Sequence, residues 1–166
     1  MSRAVVYYSF EGNTREAARK IASLIGADII EVKPVKEISE WGPRKMMEGG
    51  GKAIFGFGSA ILPLDKDLTQ YEEILIGTPI WAGRCAPYIN TLLKNEAIRA
   101  KVTGVFTLSG SGNNRQCIKN FRKKLPNLKY DVSLRDRVGK KAGANDGAIE
   151  LFVSGYTVPE EKELKN

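Results

Sequence analysis

Three short segments of this 166-residue chain carry the side chains best suited to gripping a small anionic ligand. The first is Ser9-Phe10-Glu11-Gly12-Asn13-Thr14, where hydroxyl and amide groups stand between an apolar run and a helical pattern. Backbone N–H groups converge at such a strand-to-helix turn, and the positive end of the helix dipole favours a phosphate there. Ser9, Asn13 and Thr14 add side-chain donors, whereas Glu11 suits the role only with its carboxylate turned away. An ordinary turn with Asn13 or Thr14 as helix N-cap would use the same residues. The second segment, Pro79-Ile80-Trp81-Ala82-Gly83, offers the flat apolar face of Trp81 to a planar ring, beside small residues that let backbone come close. The third, Ser109-Gly110-Ser111-Gly112, again combines hydroxyls with glycine.

Other chemistries lose ground on residue content. The chain has no His, which removes the commonest general base and the Ser-His and Cys-His nucleophile pairs. Cys85 and Cys117 lie far apart and belong to no C-x-x-C pair, so neither a disulfide framework nor a metal site is expected. No catalytic side chain is singled out. A formal net charge of +7 favours anionic partners: a phosphate-bearing ligand, an acidic protein or nucleic acid.

The elements that must position these segments alternate in type. Ala4 to Tyr8 is a continuous apolar run, as in a strand buried on both faces of a parallel sheet. From Thr14 the period turns helical, with Ala17, Ala18, Ile21, Ala22, Leu24 and Ile25 on one face, until Gly26 stops it. Asp28 to Val32 reads as a second strand closed by Pro34. Glu73 to Gly77 is the third, followed by a loop and a helix near Tyr88 to Lys94. Val102 to Leu108 is the fourth, with a helix from Arg115 to Leu125 behind it, and Leu128 to Leu134 alternates like a half-exposed last strand. Strand alternating with helix implies right-handed crossovers and an α/β, doubly wound parallel sheet of five strands with helices on both faces. In such sheets ligands sit beyond the carboxyl ends of strands where the strand order reverses, which is where all three segments fall. Lys36 to Leu68, with its glycines from Gly49 to Gly58, reads as a short helix and an irregular crossover. Asp146 to Tyr156, with two glycines and a short apolar run, is weakly patterned. Residues 1–158 form one domain on this reading, and 159–166 a polar tail.

The first segment resembles the S/T-x-T/S-G-x-T phosphate loop of the flavodoxin family, with Ser9, Gly12, Asn13 and Thr14 matching and Glu11 departing from it. Gly77-Thr78-Pro79-Ile80-Trp81-Ala82-Gly83, running into Ala86 to Leu93, resembles the family's loop after strand three and the helix behind it. Phe106 to Asn113 is similar to its last flavin-contacting loop. The resemblance implies a flavodoxin-like domain holding flavin mononucleotide (FMN) without a covalent bond. Ser9 to Thr14 would take the phosphate, and Pro79 to Gly83 and Ser109 to Gly112 would flank ribityl and isoalloxazine. It departs from the family near Asp146 to Tyr156, where a final amphipathic helix is usual, and in its basic charge.

The expected function is electron transfer between redox partners, possible acidic proteins among them. The alternatives are an NAD(P)H-dependent FMN or quinone reductase of the same fold and a non-redox basic binding module. A phospho-receiver would need acidic residues where Ser9-Phe10 and Gly77-Thr78 stand, and no Gly-Lys-Ser/Thr ending marks a nucleotide hydrolase. Lys119, Arg122, Lys123 and Lys124 lack interleaved aromatics, which disfavours nucleic acid. With no membrane-length apolar run and no signal-peptide pattern after Met1, the expected location is the cytoplasm, without membrane partners.

Overall fold

A computed structural model describes residues 1–37, 58–136 and 144–157. Its strands are β1 (Arg3–Tyr7), β2 (Asp28–Glu31), β3 (Glu73–Trp81), β4 (Arg84–Cys85), β5 (Val102–Ser109) and β6 (Tyr130–Arg135). Its α-helices are α1 (Asn13–Ile25), α2 (Pro87–Leu92), α3 (Glu96–Arg99), α4 (Arg115–Lys124) and α5 (Asp146–Thr157). Five strands run parallel in the order β2-β1-β3-β5-β6, and β4 adds a short antiparallel pairing to the tip of β3. The five-stranded parallel sheet is the one the alternation of elements predicts.

The middles of the central strands are largely apolar because both faces are covered, with Thr78, Thr103 and Thr107 the buried polar exceptions in β3 and β5. Val6, Ile74 and Ile76 pack with Tyr88 and Ile89 of α2 and Cys117, Ile118 and Phe121 of α4. Val5, Leu75 and Phe106 face the other way, onto Ile21 of α1 and Phe152 and Tyr156 of α5. Successive strand residues point to opposite faces, so a strand buried twice cannot alternate with polar residues. In register, Val5 stands between Ile29 of β2 and Leu75 of β3, which brings the carboxyl ends of the strands to one edge.

α1 follows the expected helical face except at Leu24, which is 45% exposed. Gly26 ends it in the left-handed conformation, its N–H donating to the Ala22 carbonyl.

The C-terminal segment departs from the sequence expectation. Asp146–Thr157 is a full helix that buries Ile149, Phe152, Val153 and Tyr156 at i, i+3, i+4 and i+7. Gly155 does not break it, because a Cβ there would meet the Tyr130 ring of β6 at 2.6 Å. The glycine is the slot into which that ring fits. Lys20 of α1 pairs with Asp146 at 2.7 Å, joining the two helices on this face. The expectations for most of the crossover, residues 38–57, and for the tail 159–166 lie outside the described residues. Among the described residues no helix is long and apolar enough to cross a membrane.

Candidate functional site

The strand order reverses between β1 and β3, and the carboxyl ends of β1, β3 and β5 meet there. A cavity of about 140 Å³ opens at that place, lined by Ser9, Phe10, Glu11, Asn13, Thr14, Pro79, Ile80, Trp81, Leu108 and Asp136.

One wall is the β1–α1 turn. The Ser9 Oγ accepts the Gly12 N–H at 3.1 Å, closing the turn from within. Gly12 has φ 96°, a conformation that side-chain-bearing residues rarely adopt, and it rather than Asn13 or Thr14 is the residue preceding α1. No side chain caps the helix. The amides of Asn13, Thr14 and Arg15 therefore have no acceptor among the described residues, although buried donors are nearly always paired. Thr14 is only 2% exposed and lines the cavity. The end of this helix thus presents a group of donors suited to an anion.

The opposite wall is the tip of β3. β3 does not stop at Gly77: Thr78 and Pro79 still pair with Thr107 and Leu108 of β5. The strand then turns back as a hairpin in which Trp81 pairs with Arg84. Ala82 (φ 49°) and Gly83 (φ 74°) both take the left-handed conformation that a two-residue hairpin connection demands. The buried Thr78 hydroxyl accepts the Ala86 N–H at 3.0 Å, tying the returning chain to the strand. Trp81 therefore stands on a paired strand, not in the open loop that sequence predicts. Its ring meets Tyr8 edge-on at 5.8 Å and Phe10 at 6.3 Å between centroids. Tyr8 in turn donates to a Glu37 carboxylate oxygen at 3.0 Å, and burial pushes its phenol well above the ordinary range, so it stays protonated.

The third segment is arranged differently. Ser109 to Gly112 closes on itself, the Gly112 N–H donating to the Ser109 carbonyl (3.2 Å) and Oγ (3.0 Å). Gly110 and Ser111 are exposed and do not line the cavity, nor do Ala82 and Gly83. Gly83 instead sits 3.8 Å from Gln116 of α4, measured from an ideal Cβ. Leu108 and Asp136 line the cavity in place of that loop. Leu108 falls in the Phe106 to Asn113 segment of the sequence analysis but just before the site bounds expected there, and Asp136 falls outside every expected segment. For Asp136 a usable signal existed, since it directly follows the last strand at its carboxyl end.

Burial, and after it the negative charge of Glu11, hold the Asp136 carboxyl above its ordinary pKa. A raised carboxyl costs the folded state stability once the group ionises, and that cost vanishes below the unfolded value near 3.8. Asp136→Asn should therefore raise the urea midpoint at pH 7, within about 1 kcal/mol for a partly exposed charge. The gain should shrink as the pH falls towards 3.8. An equal gain at every pH would show that the charge is not its source.

Fold and cleft together define a doubly wound α/β domain with a candidate ligand cleft at its topological switch point. The chain belongs to the flavodoxin family, whose sequence model matches residues 2–140. A flavoprotein from Lactobacillus acidophilus, solved in complex with FMN, is 26% identical with a TM-score of 0.65, over 91% of this chain and 97% of that one. Two others show the shared fold alone. A candidate flavoprotein from Bacteroides eggerthii has 22% identity and a TM-score of 0.69, over 95% of this chain and 98% of that one. A WrbA-like flavodoxin from Agrobacterium tumefaciens has 16% identity and a TM-score of 0.60, over 93% and 94%.

Proposed function

We propose that this chain holds FMN non-covalently in the cleft and acts as an electron carrier. One observation carries the reading: a single cavity is lined both by the start of α1, with its unpartnered donors, and by the strand that bears Trp81. The first suits a phosphate and the second an aromatic ring system, and FMN has one at each end. The L. acidophilus relative crystallised with FMN supports the same ligand.

When bound, FMN supplies the electron chemistry. The chain's own residues bind and orient. The amides of Asn13 and Thr14 and the Thr14 hydroxyl would hold the phosphate, with Ser9 keeping the turn closed around it. Trp81, held edge-on by Tyr8 and Phe10, would wall the ring system, and Pro79 and Ile80 would exclude water beside it. The Ser109 to Gly112 loop and the Ala82-Gly83 turn would flank the ring from outside the cavity proper. The cysteines take no part: burial raises Cys85 to about 11 and pushes Cys117 up as well, so neither is a ready thiolate. Two free buried thiols suit a reducing compartment, and we place the protein in the cytoplasm.

Titration of flavin-free protein with FMN and with riboflavin, followed by flavin fluorescence, tests the site. FMN should bind at least about 30-fold more tightly, because charge-assisted bonds at a helix N-terminus contribute about 2 kcal/mol or more. Equal affinity would remove the phosphate role of Ser9 to Thr14. A carrier should show no sustained oxidation of NADH or NADPH when FMN-loaded. Turnover would replace it with the reductase reading.

A further inference from the structure

Among the described residues, a dense run of positive charge lies outside the cleft. α4 carries Arg115, Lys119, Arg122, Lys123 and Lys124 and no acidic residue, on a chain whose net charge is +7. Of these, Arg122 pairs with Asp131 of β6. The other four have no ion pair among the described residues. A shallow, open groove of about 520 Å³ runs along the helix, lined by Arg115, Ile118, Lys119, Arg122, Lys123 and Asp131.

Helix stability explains only part of this pattern. Arg122, Lys123 and Lys124 stand in the last turn, where cations suit the helix dipole. Arg115 stands in the first turn, where a cation is unfavourable. Arg115 and Lys119, and Lys119 and Lys123, repel each other at i,i+4. Within α4, the cation that the dipole least favours, Arg115, stands at the end that follows β5, whose residue Leu108 lines the cavity. The whole ten-residue helix spans about 15 Å, short enough for one partner surface to cover its length from the β5 end onward.

We propose that the α4 groove is the docking surface for an acidic redox protein, whose carboxylates meet Arg115, Lys119 and Lys123 and so set its redox centre beside the cleft. The proposal rests on the electron-carrier reading. Complementary charge steers encounter and fixes orientation more than it adds affinity. Nucleic acid is the lesser fit, because no aromatic ring lines the groove for a base to stack on.

The test uses the FMN-loaded protein and a reduced acidic [2Fe–2S] ferredoxin as probe. Electron uptake is followed by stopped flow from about 20 mM to 500 mM salt, over which the Debye length shrinks severalfold. Arg115→Glu/Lys119→Glu is compared with Lys33→Glu/Lys94→Glu, which changes net charge equally on exposed residues elsewhere. At low salt the first pair should slow the second-order rate about ten-fold or more, and the control pair by less than about three-fold, with all rates converging at high salt. FMN affinity should be the same in all three proteins. Equal slowing by both pairs would overturn the docking site in favour of net charge alone. Retention of duplex DNA near 150 mM salt, lost only in the α4 variant while ferredoxin rates stay level, would overturn it in favour of nucleic acid. Wild-type protein that accepts no electrons from ferredoxin at any salt, yet turns over NADPH, would overturn the carrier reading and the docking site with it.

Discussion

Phe152→Ala is expected to destabilise the flavin-free protein by about 3–5 kcal/mol in urea unfolding, the cost of emptying a well-packed aromatic site. Phe152 is 6% exposed and lies at the centre of the apolar stripe of α5, against the sheet face that Val5, Leu75 and Phe106 present. Its ring also meets Tyr156 at 5.8 Å between centroids. Removing it leaves a void in the middle of the stripe that Ile149, Val153 and Tyr156 complete. Leu151→Ala is the matched control: on the same helix but 77% exposed, it should cost no more than about 0.5 kcal/mol. A loss below about 1 kcal/mol for Phe152→Ala would mean that α5 is not an integral layer of the fold.

Gly77→Ala should cost about 3 kcal/mol or more, at the upper end for inserting a methyl group into a packed core. An ideal Cβ on Gly77 would lie 2.1, 2.4 and 2.9 Å from three atoms of the Phe106 ring on the neighbouring strand. That ring is fully buried, so it has no open side to move into. The same contact predicts a rescue. Phe106→Leu shortens the side chain over Gly77, so Gly77→Ala/Phe106→Leu should be less destabilised than the sum of the single changes by about 1–3 kcal/mol. Strict additivity would show that the strain lies elsewhere. Because Gly77 precedes Thr78 and the Trp81 hairpin on β3, the single variant should also weaken FMN binding, and the rescued double should recover part of it.

Charge arrangement gives the protein two distinct electrostatic faces. Glu11 and Asp136 place negative charge at the cavity, whereas α4 carries a dense positive stripe. An acidic partner drawn to the stripe would be repelled from the cavity itself, so the two faces together would align it along the helix and not across the cleft.

Much of the architecture was written locally. The unbroken apolar run of β1, the helical period from Thr14 and the left-handed stop at Gly26 are properties of neighbouring residues, and each recurs in the structure close to its expected bounds. The order of the strand-ending segments placed Ser9 to Thr14 and Pro79 to Trp81 on a shared edge, because parallel sheets gather the carboxyl ends of their strands. What neighbours could not reveal depended on partners distant in sequence. Gly155 looks like a helix breaker until the Tyr130 ring fills the space above it. The β3 tip looks like a loop until the Thr78 hydroxyl ties Ala86 to it. Asp136 enters the cavity from a strand on the far side of β5, and Ser109 to Gly112 stays out of it because the loop's hydrogen bonds are made internally. Periodicity and turn chemistry act over a few residues, so the sequence by itself determined the five parallel strands, α1, α2 and α4 and their order, but not α5 or the β3–β4 hairpin. Contacts between strands and helices far apart in the chain decided which side chains share the site.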